Sequence, residues 1–324
     1  FPWIVNDNLE TVGSHDFKGK LNGPMTAHPR ICPETNELLF FGYQMMKKPY
    51  LTYHRVSADG ELIQSEEIDI PRPVMMHDWN ITRNYVIFMD LPLVFDLDQA
   101  VSGSDPFGFR PECGARLGVM PRDGSNKDIK WIDINPCFVF HPMNAYEEDN
   151  KIILHVCRQN KAMVGGMDEI HGGKDTIGKL WKWTIDLDSE TCKEEQIDDA
   201  ACDFARVDDR LTGLKAKNGY AMAIDENAKT LTFGQFLYKF NLEKNTRTDH
   251  DLGDNVFGGE PVFVPKSKDS SEEEGWVMAI VFDDNIKKSK LIIVDVENFD
   301  KKPVCEVILP QRVPFGAHGS WLSN

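Results

Sequence analysis

Four histidines, each in a phrase of its own, are the residues of this sequence best suited to chemistry. They are His28 in MTAHPR, His77 in MMHDWNIT, His141 in FVFHPMNAYEE and His318 in FGAHGSW. The gaps between them are 49, 64 and 177 residues, so no single helix or loop brings them together. Neutral imidazoles are good ligands for iron, zinc, copper or nickel. If the four meet, they meet on an axis that several repeating units share, and they make a metal site.

Residue types alone leave the role of these histidines open. A single histidine lies on the surface or is hydrogen-bonded in the core more often than it binds a metal. We expect that ordinary role for the five other histidines: His15, His54, His155, His171 and His250. His77 and His141 follow apolar residues and precede polar, turn-prone ones such as Asp78 and Asn144, which predicts the end of an inner strand facing a central channel. A structural zinc site would normally bring cysteine or closer spacing.

Composition and charge exclude several classes of protein. The 324 residues are 41% hydrophobic and 27% charged, which is typical of a soluble globular protein. The net charge of −16, without a cluster of Lys and Arg, argues against nucleic acid as a partner. The cysteines number seven and form no CxxC pair, which indicates reduced thiols in a cytoplasmic protein. No apolar run approaches the ~20 residues that a transmembrane helix needs.

Short apolar runs separated by polar turns predict an all-β protein. Runs such as Tyr85–Asp90, Lys151–Cys157 and Trp276–Phe282 have the spacing of antiparallel hairpins. Sustained helical periodicity and βαβ alternation are absent, which argues against a doubly wound fold. We interpret residues 1–324 as a single domain that is a sandwich, a barrel or a propeller. A propeller blade takes about 40–50 residues, so the first two histidine gaps favour a propeller with the four histidines on four blades.

Seven phrases of the sequence resemble, in order, those of the carotenoid cleavage oxygenase family, whose relatives include stilbene-cleaving dioxygenases and the retinal isomerase of the eye. They are TAHPRICPETNELLFFGY, MMHDWNITRNYVIFMDLPLVFD, FRPECGARLGVMPRDG, CFVFHPMNAYEEDN, DFARVDDRLTGLKAKNGY, FGGEPVFVP and RVPFGAHGSWL. Together they are specific, whereas any one alone is not. The resemblance implies a seven-bladed β-propeller with an iron(II) ion on its axis. It also implies the ligands, which are His28, His77, His141 and His318.

The resemblance further implies carboxylates behind the histidines. In this family, glutamates hydrogen-bond the distal nitrogen of three ligands, and such carboxylates fix the tautomer and the ring orientation. One match is Glu260 in GGEPVF, and a second is Asp203 in CDFARVD, where the family usually reads Glu-Phe-Pro. The shorter aspartate leaves open whether it reaches its histidine directly or through a water. The third glutamate would fall before Phe1, so we expect a chain truncated at its N-terminus, with an incomplete or strained ring.

By resemblance, the reaction is cleavage of one C=C bond of a carotenoid, apocarotenoid or stilbene by O2, which gives two carbonyl products. Iron(II) is the implied cofactor, and no residue is assigned as an acid or a base. Phe140 and Met75 match positions that line the substrate tunnel in relatives, with core packing as the alternative. An isomerase or hydrolase variant and a non-catalytic binding propeller stay open. We expect a monomer in the cytoplasm. Peripheral contact of this protein with a membrane surface stays open.

Overall fold

The structure is a computed structural model that describes residues 1–162, 173–228, 232–316 and 318–322. The chain divides into two compact units, Phe1–Pro136 and Cys137–Asn324. Each unit has hydrophobic clusters of its own. Within the described residues nearly every regular element is a β-strand, and the strands pair antiparallel.

The first unit begins with a hairpin and a four-stranded sheet. The hairpin joins β1 (Trp3–Val5) to β2 (Thr11–Ser14). The sheet follows the order of the chain and contains β3 (Arg30–Ile31), β4 (Leu38–Tyr43), β5 (Leu51–Val56) and β6 (Leu62–Ile68). The sequence of β4, LLFFGY, is buried along its middle, whereas β6 is buried only at its two ends. The inner strands therefore supply the core and β6 forms the outer edge.

The second sheet of the first unit has four strands and carries an insertion. Its first strands are β7 (Asn80–Ile81) and β8 (Tyr85–Asp90). The insertion contains β9 (Leu93–Phe95), helix α1 (Leu97–Ser102) and β10 (Phe107–Phe109). The sheet is completed by β11 (Ala115–Pro121) and β12 (Lys130–Ile134), in the order β12-β11-β8-β7.

Aromatic side chains fill the core of the first unit. Trp79, directly before β7, is fully buried, and its ring centroid lies 5.5 Å from that of Phe41. The rings of Tyr53 and Phe88 each lie 5.9 Å from it. Such pairs contribute about 0.5–1.5 kcal/mol beyond the burial of their area. The segment that carries His77 is therefore anchored two residues away from that histidine.

Helix α1 departs from the predicted all-β pattern. It is six residues long, too short for its sequence to show a helical period. Local chemistry forms it instead, because the Asp96 side chain accepts hydrogen bonds from the N–H groups of Asp98 and Gln99. Gly103 ends it in the left-handed region, with φ of 79°.

The second unit is organised by a long strand that belongs to two groups of four. The strands are β13 (Phe138–Glu148), β14 (Lys151–Gln159), β15 (Lys179–Asp186), β16 (Thr191–Arg206), β17 (Asn218–Ile224), β18 (Phe233–Asn241) and β19 (Thr246–Asp251). Their order in the sheet is their order in the chain. The first part of β16 pairs with β15, and its last residues, from Cys202 to Arg206, pair with β17. The end of β16 is therefore the junction between the two groups.

A last sheet follows in the second unit. It contains β20 (Val256–Phe257), β21 (Val262–Pro265), β22 (Gly275–Asp283), β23 (Lys288–Asp295) and β24 (Cys305–Ile308). β20 and β21 pair with opposite ends of β22. On β22 the side chains of Val277, Ala279 and Val281 are buried, with the period of two expected for a strand.

Groups of four antiparallel strands have the size of a propeller blade. The predicted strand Tyr85–Asp90 coincides with β8, while Lys151–Cys157 and Trp276–Phe282 lie within β14 and β22. The all-β prediction is therefore confirmed. The number of blades and the single domain over 1–324 stay predictions.

Candidate metal centre

His28 and His77 form a pair in the first unit. His28 lies in the segment before β3 and His77 in the segment before β7, and each of these is an edge strand of its sheet. Their Nε2 atoms are 3.2 Å apart and their ring centroids 4.8 Å apart. His28 is buried and His77 is half-buried. The fold thus joins two imidazoles that lie 49 residues apart in the chain.

His77 precedes a strand, so the prediction that it lies at the end of one is wrong. The apolar residues before it belong to a buried loop stretch, in which Val74 forms an isolated bridge with Val94. Met75 donates its N–H to the Leu93 carbonyl oxygen in the same stretch. Burial of this loop, and not strand alternation, explains the apolar residues that the sequence places there.

The spacing of the first pair fits two ligands of one metal ion. Imidazole nitrogens bind such ions at about 2.1 Å, so two ligands at a right angle lie about 3 Å apart. The Nε2 separation of 3.2 Å agrees with that value. Imidazole is also a common ligand of iron, zinc, copper and nickel in proteins.

An aspartate and an arginine lie behind His28. The Oδ2 atom of Asp78 is 3.5 Å from His28 Nδ1, and the Asp78 side chain is 3% exposed. Its Oδ1 atom accepts hydrogen bonds of 2.7 Å from Arg30 Nη2 and from the Trp79 N–H. The Trp79 indole donates to the His28 carbonyl oxygen at 2.9 Å. The sequence indicated only a turn at Asp78, whereas the structure gives its carboxylate a place in a network that fixes His28.

His141 and His318 form a second pair, in the second unit. Their ring centroids are 4.9 Å apart and their planes are nearly perpendicular, at 81°. His141 is buried within β13, while His318 follows β24 and its side chain is 28% exposed. The Phe204 ring lies 4.7 Å from that of His141 and 5.4 Å from that of His318. Phe204, for which the sequence gave no functional signal, therefore restricts both imidazoles.

His141 lies in the middle of β13, so the prediction of a strand end is wrong here too. Pro142 has no N–H to donate, and the pairing of β13 with β14 shifts register on both sides of it. Such irregularities re-aim side chains. Asn144, which resembled a turn residue, is buried and donates to the carbonyl oxygens of Leu211 and Leu214. A bulge inside a strand, and not its end, presents His141.

Asp203 contacts His141 directly. His141 Nδ1 and Asp203 Oδ1 are 2.8 Å apart, so no bridging water is needed. The pairing of β16 with β17 shifts register between Asp203 and Arg206, and Phe204 has φ of 55°. That left-handed conformation is uncommon for a residue other than glycine. The irregular backbone thus sets the short carboxylate against the imidazole.

Glu260 holds both the side chain and the backbone of the segment that carries His318. Its Oε1 atom is 2.9 Å from His318 Nδ1, and its Oε2 atom accepts from the Gly319 N–H at 2.7 Å. Arg206 Nη1 donates to Oε1 at 3.2 Å. Burial raises the pKa of the Glu260 carboxyl, but the hydrogen bond with His318 and the charge of Arg206 outweigh it and leave this pKa below its usual value. Glu260 is therefore an ionised acceptor.

The two carboxylates assign roles to the ring nitrogens. An ionised carboxylate only accepts, so Nδ1 of His141 and of His318 carries the proton. Nε2 of each ring then holds the lone pair that binds a metal. The carboxylates thus fix the orientation of both rings in the second pair, with Nδ1 rather than Nε2 on the carboxylate.

Met75 and Phe140 are half-buried beside the candidate ligands. The Phe140 ring lies 4.8 Å from that of Phe138 and 6.4 Å from that of His141. These contacts agree with core packing as well as with a lining role. Their contact with a substrate stays a prediction.

An apolar cavity of about 320 Å³ lies beside His318 in the second unit. Its walls include Phe233, Phe282, Phe315 and Trp321, and Glu260 and His318 also line it. The Phe315 ring lies 5.1 Å from that of Phe233 and 6.3 Å from that of Phe282. Concave apolar walls next to a few polar groups are typical of a small-molecule site.

Of the other described histidines, His15 is partly exposed and His54 and His250 are hydrogen-bonded in the core, as expected. His155 differs, since neither of its ring nitrogens has a hydrogen-bond partner among the described residues. His54 and His155 are buried, and burial lowers the pKa of each to about 4. His250 is buried with Nδ1 2.8 Å from the Phe299 carbonyl oxygen, and His15 packs edge-on against Phe17. His171 lies outside the described residues.

Over the part of the chain that the structure describes, we find no helix long and apolar enough to cross a membrane.

Imidazole pairs on or next to the strands of antiparallel sheets, with carboxylates behind them, define the class as an all-β protein whose histidines could hold a transition metal. The family model RPE65, described as retinal pigment epithelial membrane protein, matches residues 3–323. The chain therefore belongs to this family, the carotenoid cleavage oxygenases.

Individual relatives agree with this assignment. The carotenoid 9,10(9',10')-cleavage dioxygenase 1 of Pisum sativum is 35% identical over 334 residues, which cover 98% of this chain and 61% of the relative. The crystal structure of Pseudomonas brassicacearum lignostilbene dioxygenase matches with a TM-score of 0.89 and 27% identity, over 100% of this chain and 71% of that chain. Cobalt-substituted Synechocystis apocarotenoid oxygenase matches with a TM-score of 0.87 and 26% identity, over 99% of this chain and 70% of that chain.

The predicted resemblance and the predicted carotenoid oxygenase type of fold are confirmed by these matches. The chain spans about three fifths of the length of the curated relatives that it matches first.

Proposed function

We propose that this protein is a non-heme iron(II) dioxygenase that cleaves a conjugated C=C bond. The observation that carries the proposal is the pair His141 and His318, each with Nδ1 held by a carboxylate, in a chain of this family. Relatives named for cleaving carotenoids and lignostilbene support the reaction class.

The two histidine pairs, one from each unit, bind a single iron(II) ion in this proposal. One family model runs through both units, which supports treating the pairs as halves of one centre. The fit of the donors supports it too, because the Nε2 spacing of His28 and His77 suits adjacent ligands. Asp203 and Glu260 would hold His141 and His318 in the metal-binding tautomer.

Bound iron(II) would supply the electrons that activate O2. Over the whole reaction the C=C bond and the O=O bond break and two C=O bonds form, so the reaction needs no further reductant. No net proton transfer occurs, and no side chain is assigned as an acid or a base. The protein's part is to orient the ligands, through Asp203, Glu260 and Phe204, and to offer the substrate an apolar surface that excludes water.

The proposed substrate is an apolar conjugated alkene, namely a carotenoid, an apocarotenoid or a stilbene, with O2 as the second substrate. The aromatic cavity beside His318 supports an apolar substrate. Phe140 and Met75 are proposed to line the path of that substrate. The alternative functions are those of an isomerase, a hydrolase or a binding propeller, and the experiment below distinguishes them from a dioxygenase.

We further propose a monomer with one catalytic domain, located in the cytoplasm. All seven cysteines are free, which supports a reducing compartment. The Sγ atoms of Cys157 and Cys202, at 3.8 Å, are much farther apart than the about 2.05 Å of a disulfide.

The test is to load the protein with Fe(II) and offer β-carotene, an apocarotenal and a hydroxystilbene under labelled O2. Loss of conjugated absorbance and labelled oxygen in both carbonyl products are expected, and His141→Ala should abolish both. Label in neither product, with an isomerised or hydrolysed product, would move the function to an isomerase or hydrolase. Failure of the wild-type protein to bind iron would favour a binding propeller.

A further inference from the structure

The segment that carries His318 depends on side-chain contacts for its position. The described residues after β24 contain no helix or strand, and His318 is the most exposed of the four candidate ligands. A ligand on such a segment needs other groups to fix it, because ligand geometry must be held closely for tight metal binding.

Two side chains hold this segment together. Glu260 bonds the His318 ring at 2.9 Å and the Gly319 N–H at 2.7 Å. Arg206 Nη1 donates to the Gly319 carbonyl oxygen at 3.1 Å and to Glu260 Oε1 at 3.2 Å. One nitrogen of Arg206 therefore bridges the supporting carboxylate and the backbone next to the histidine.

Arg206 is itself fixed by its second terminal nitrogen. Nη2 lies 3.1 Å from both carboxylate oxygens of Asp209, so the planar fork is engaged on both sides. Arg206 is the last residue of β16, three residues after Asp203, which bonds His141. The end of one strand thus supports His141 and His318, the two candidate ligands of the second unit.

We propose that Arg206 is a positioning residue for His318, which it fixes by holding Glu260 and the Gly319 carbonyl oxygen at once. In so far as His318 binds a metal, this inference rests on the proposed function. Arg206 touches neither substrate nor metal in this account and acts only through Glu260 and Gly319. A lysine cannot take its place fully, since a single ammonium cannot reproduce the two-sided fork.

The first readout uses the metal-free protein and follows hydrogen exchange of the Gly319 amide. Arg206→Gln is expected to speed that exchange roughly tenfold, because Glu260 and the Gly319 carbonyl lose a shared donor. The second readout is Co(II), whose visible spectrum reports ligand geometry. Arg206→Gln is expected to weaken Co(II) binding about 10- to 100-fold and to alter the spectrum.

Arg210→Gln is the matched control. Arg210 lies four residues away and donates to the carbonyl oxygens of Lys268 and Ser270, in a different loop. It should leave both the Gly319 exchange and the Co(II) spectrum as in the wild type. Arg206→Lys keeps the positive charge, so it can be measured even if Arg206→Gln fails to fold. Its Gly319 exchange rate and its Co(II) affinity should lie between those of the wild type and those expected for Arg206→Gln.

The inference is overturned if Arg206→Lys and every folded Arg206→Gln sample match Arg210→Gln in both readouts. If the wild-type protein binds no Co(II), the proposed metal function fails, while the exchange of the Gly319 amide still decides whether Arg206 positions this segment.

Discussion

Asp203 and His141 are hydrogen-bonded at 2.8 Å although their strands, β16 and β13, are separated by two others in the sheet. The contact forms because the last residues of β16 leave β15 and pair with β17. A local irregularity of one strand thereby supplies the carboxylate for a candidate metal ligand on β13, beyond the two intervening strands.

Replacing Asp203 by asparagine should weaken metal binding. The amide has no charge and can offer an N–H where the carboxylate accepts, so the His141 tautomer is no longer fixed. We expect Asp203→Asn to lose about 10- to 100-fold in Fe(II) affinity, measured by competition with a chelator. Asp199→Asn, at an exposed position of the same strand, is the control. Equal affinity in the two variants would show that the hydrogen bond does not matter.

Lengthening the same side chain should also be harmful. The buried Asp203 carboxylate already lies at hydrogen-bond distance from His141, with no room for a water between them. Asp203→Glu therefore adds one methylene where the packing leaves no space for it. We expect a loss of about 1–3 kcal/mol in the free energy of unfolding, measured by denaturant titration. A more stable variant would contradict the tight direct contact described here.

Gly259 provides a test of the Glu260 position. A Cβ atom at Gly259 would lie 2.2 Å from the carbonyl oxygen of Ile280, which belongs to the backbone of β22 and has little freedom to move. Gly259→Ala should therefore shift the neighbouring Glu260, lower the melting temperature and weaken metal binding. At Gly316 the added Cβ would meet nothing within 4 Å, so Gly316→Ala is the matched control. Identical behaviour of the two variants would argue against this packing constraint.

The buried His155 should make stability depend on pH. Its pKa falls from 6.5 to about 4 in the folded protein because burial disfavours the charged ring. The unfolded chain takes up a proton near pH 6.5, so stability is full above that pH and falls as the pH drops towards 4. Below that pH both states are protonated, and the total loss is about 3 kcal/mol.

Replacing His155 by phenylalanine should flatten this pH window. Among the described residues neither ring nitrogen of His155 has a hydrogen-bond partner, so phenylalanine forfeits no bond. The free energy of unfolding, measured from pH 4 to 7, is the readout. His54→Phe, at a second buried histidine with a pKa of about 4, should flatten the same window independently. An unchanged slope in the double variant would refute the assignment.

The sequence predicted much of this fold because strand signals are local. A short apolar run and its flanking turns located β8 without error, and the phrases around the histidines identified the family. The polar sequence of β16, TCKEEQIDDAACDFAR, carries no such run, so the sequence does not predict this strand, the longest within the described residues. It forms because β15 and β17 pair with it on either side.

The supporting residues of the site were harder to predict. Asp78 and Arg206 look like ordinary surface residues in the sequence, since their partners lie far along the chain. The presentation of His141 by the bulge at Pro142 depends on pairing with β14, which no local pattern encodes. Glu260 and Asp203 were found only because the family resemblance pointed to them.

The number of iron ions bound per chain tests the central claim most directly. It should be measured by titration in the wild type, in the double variant His28→Ala/His77→Ala and in the double variant His141→Ala/His318→Ala. If both pairs share one iron(II), the wild type binds one ion per chain and neither double variant retains it tightly. Two ions per chain in the wild type, or one tightly bound ion in either double variant, would contradict a shared centre.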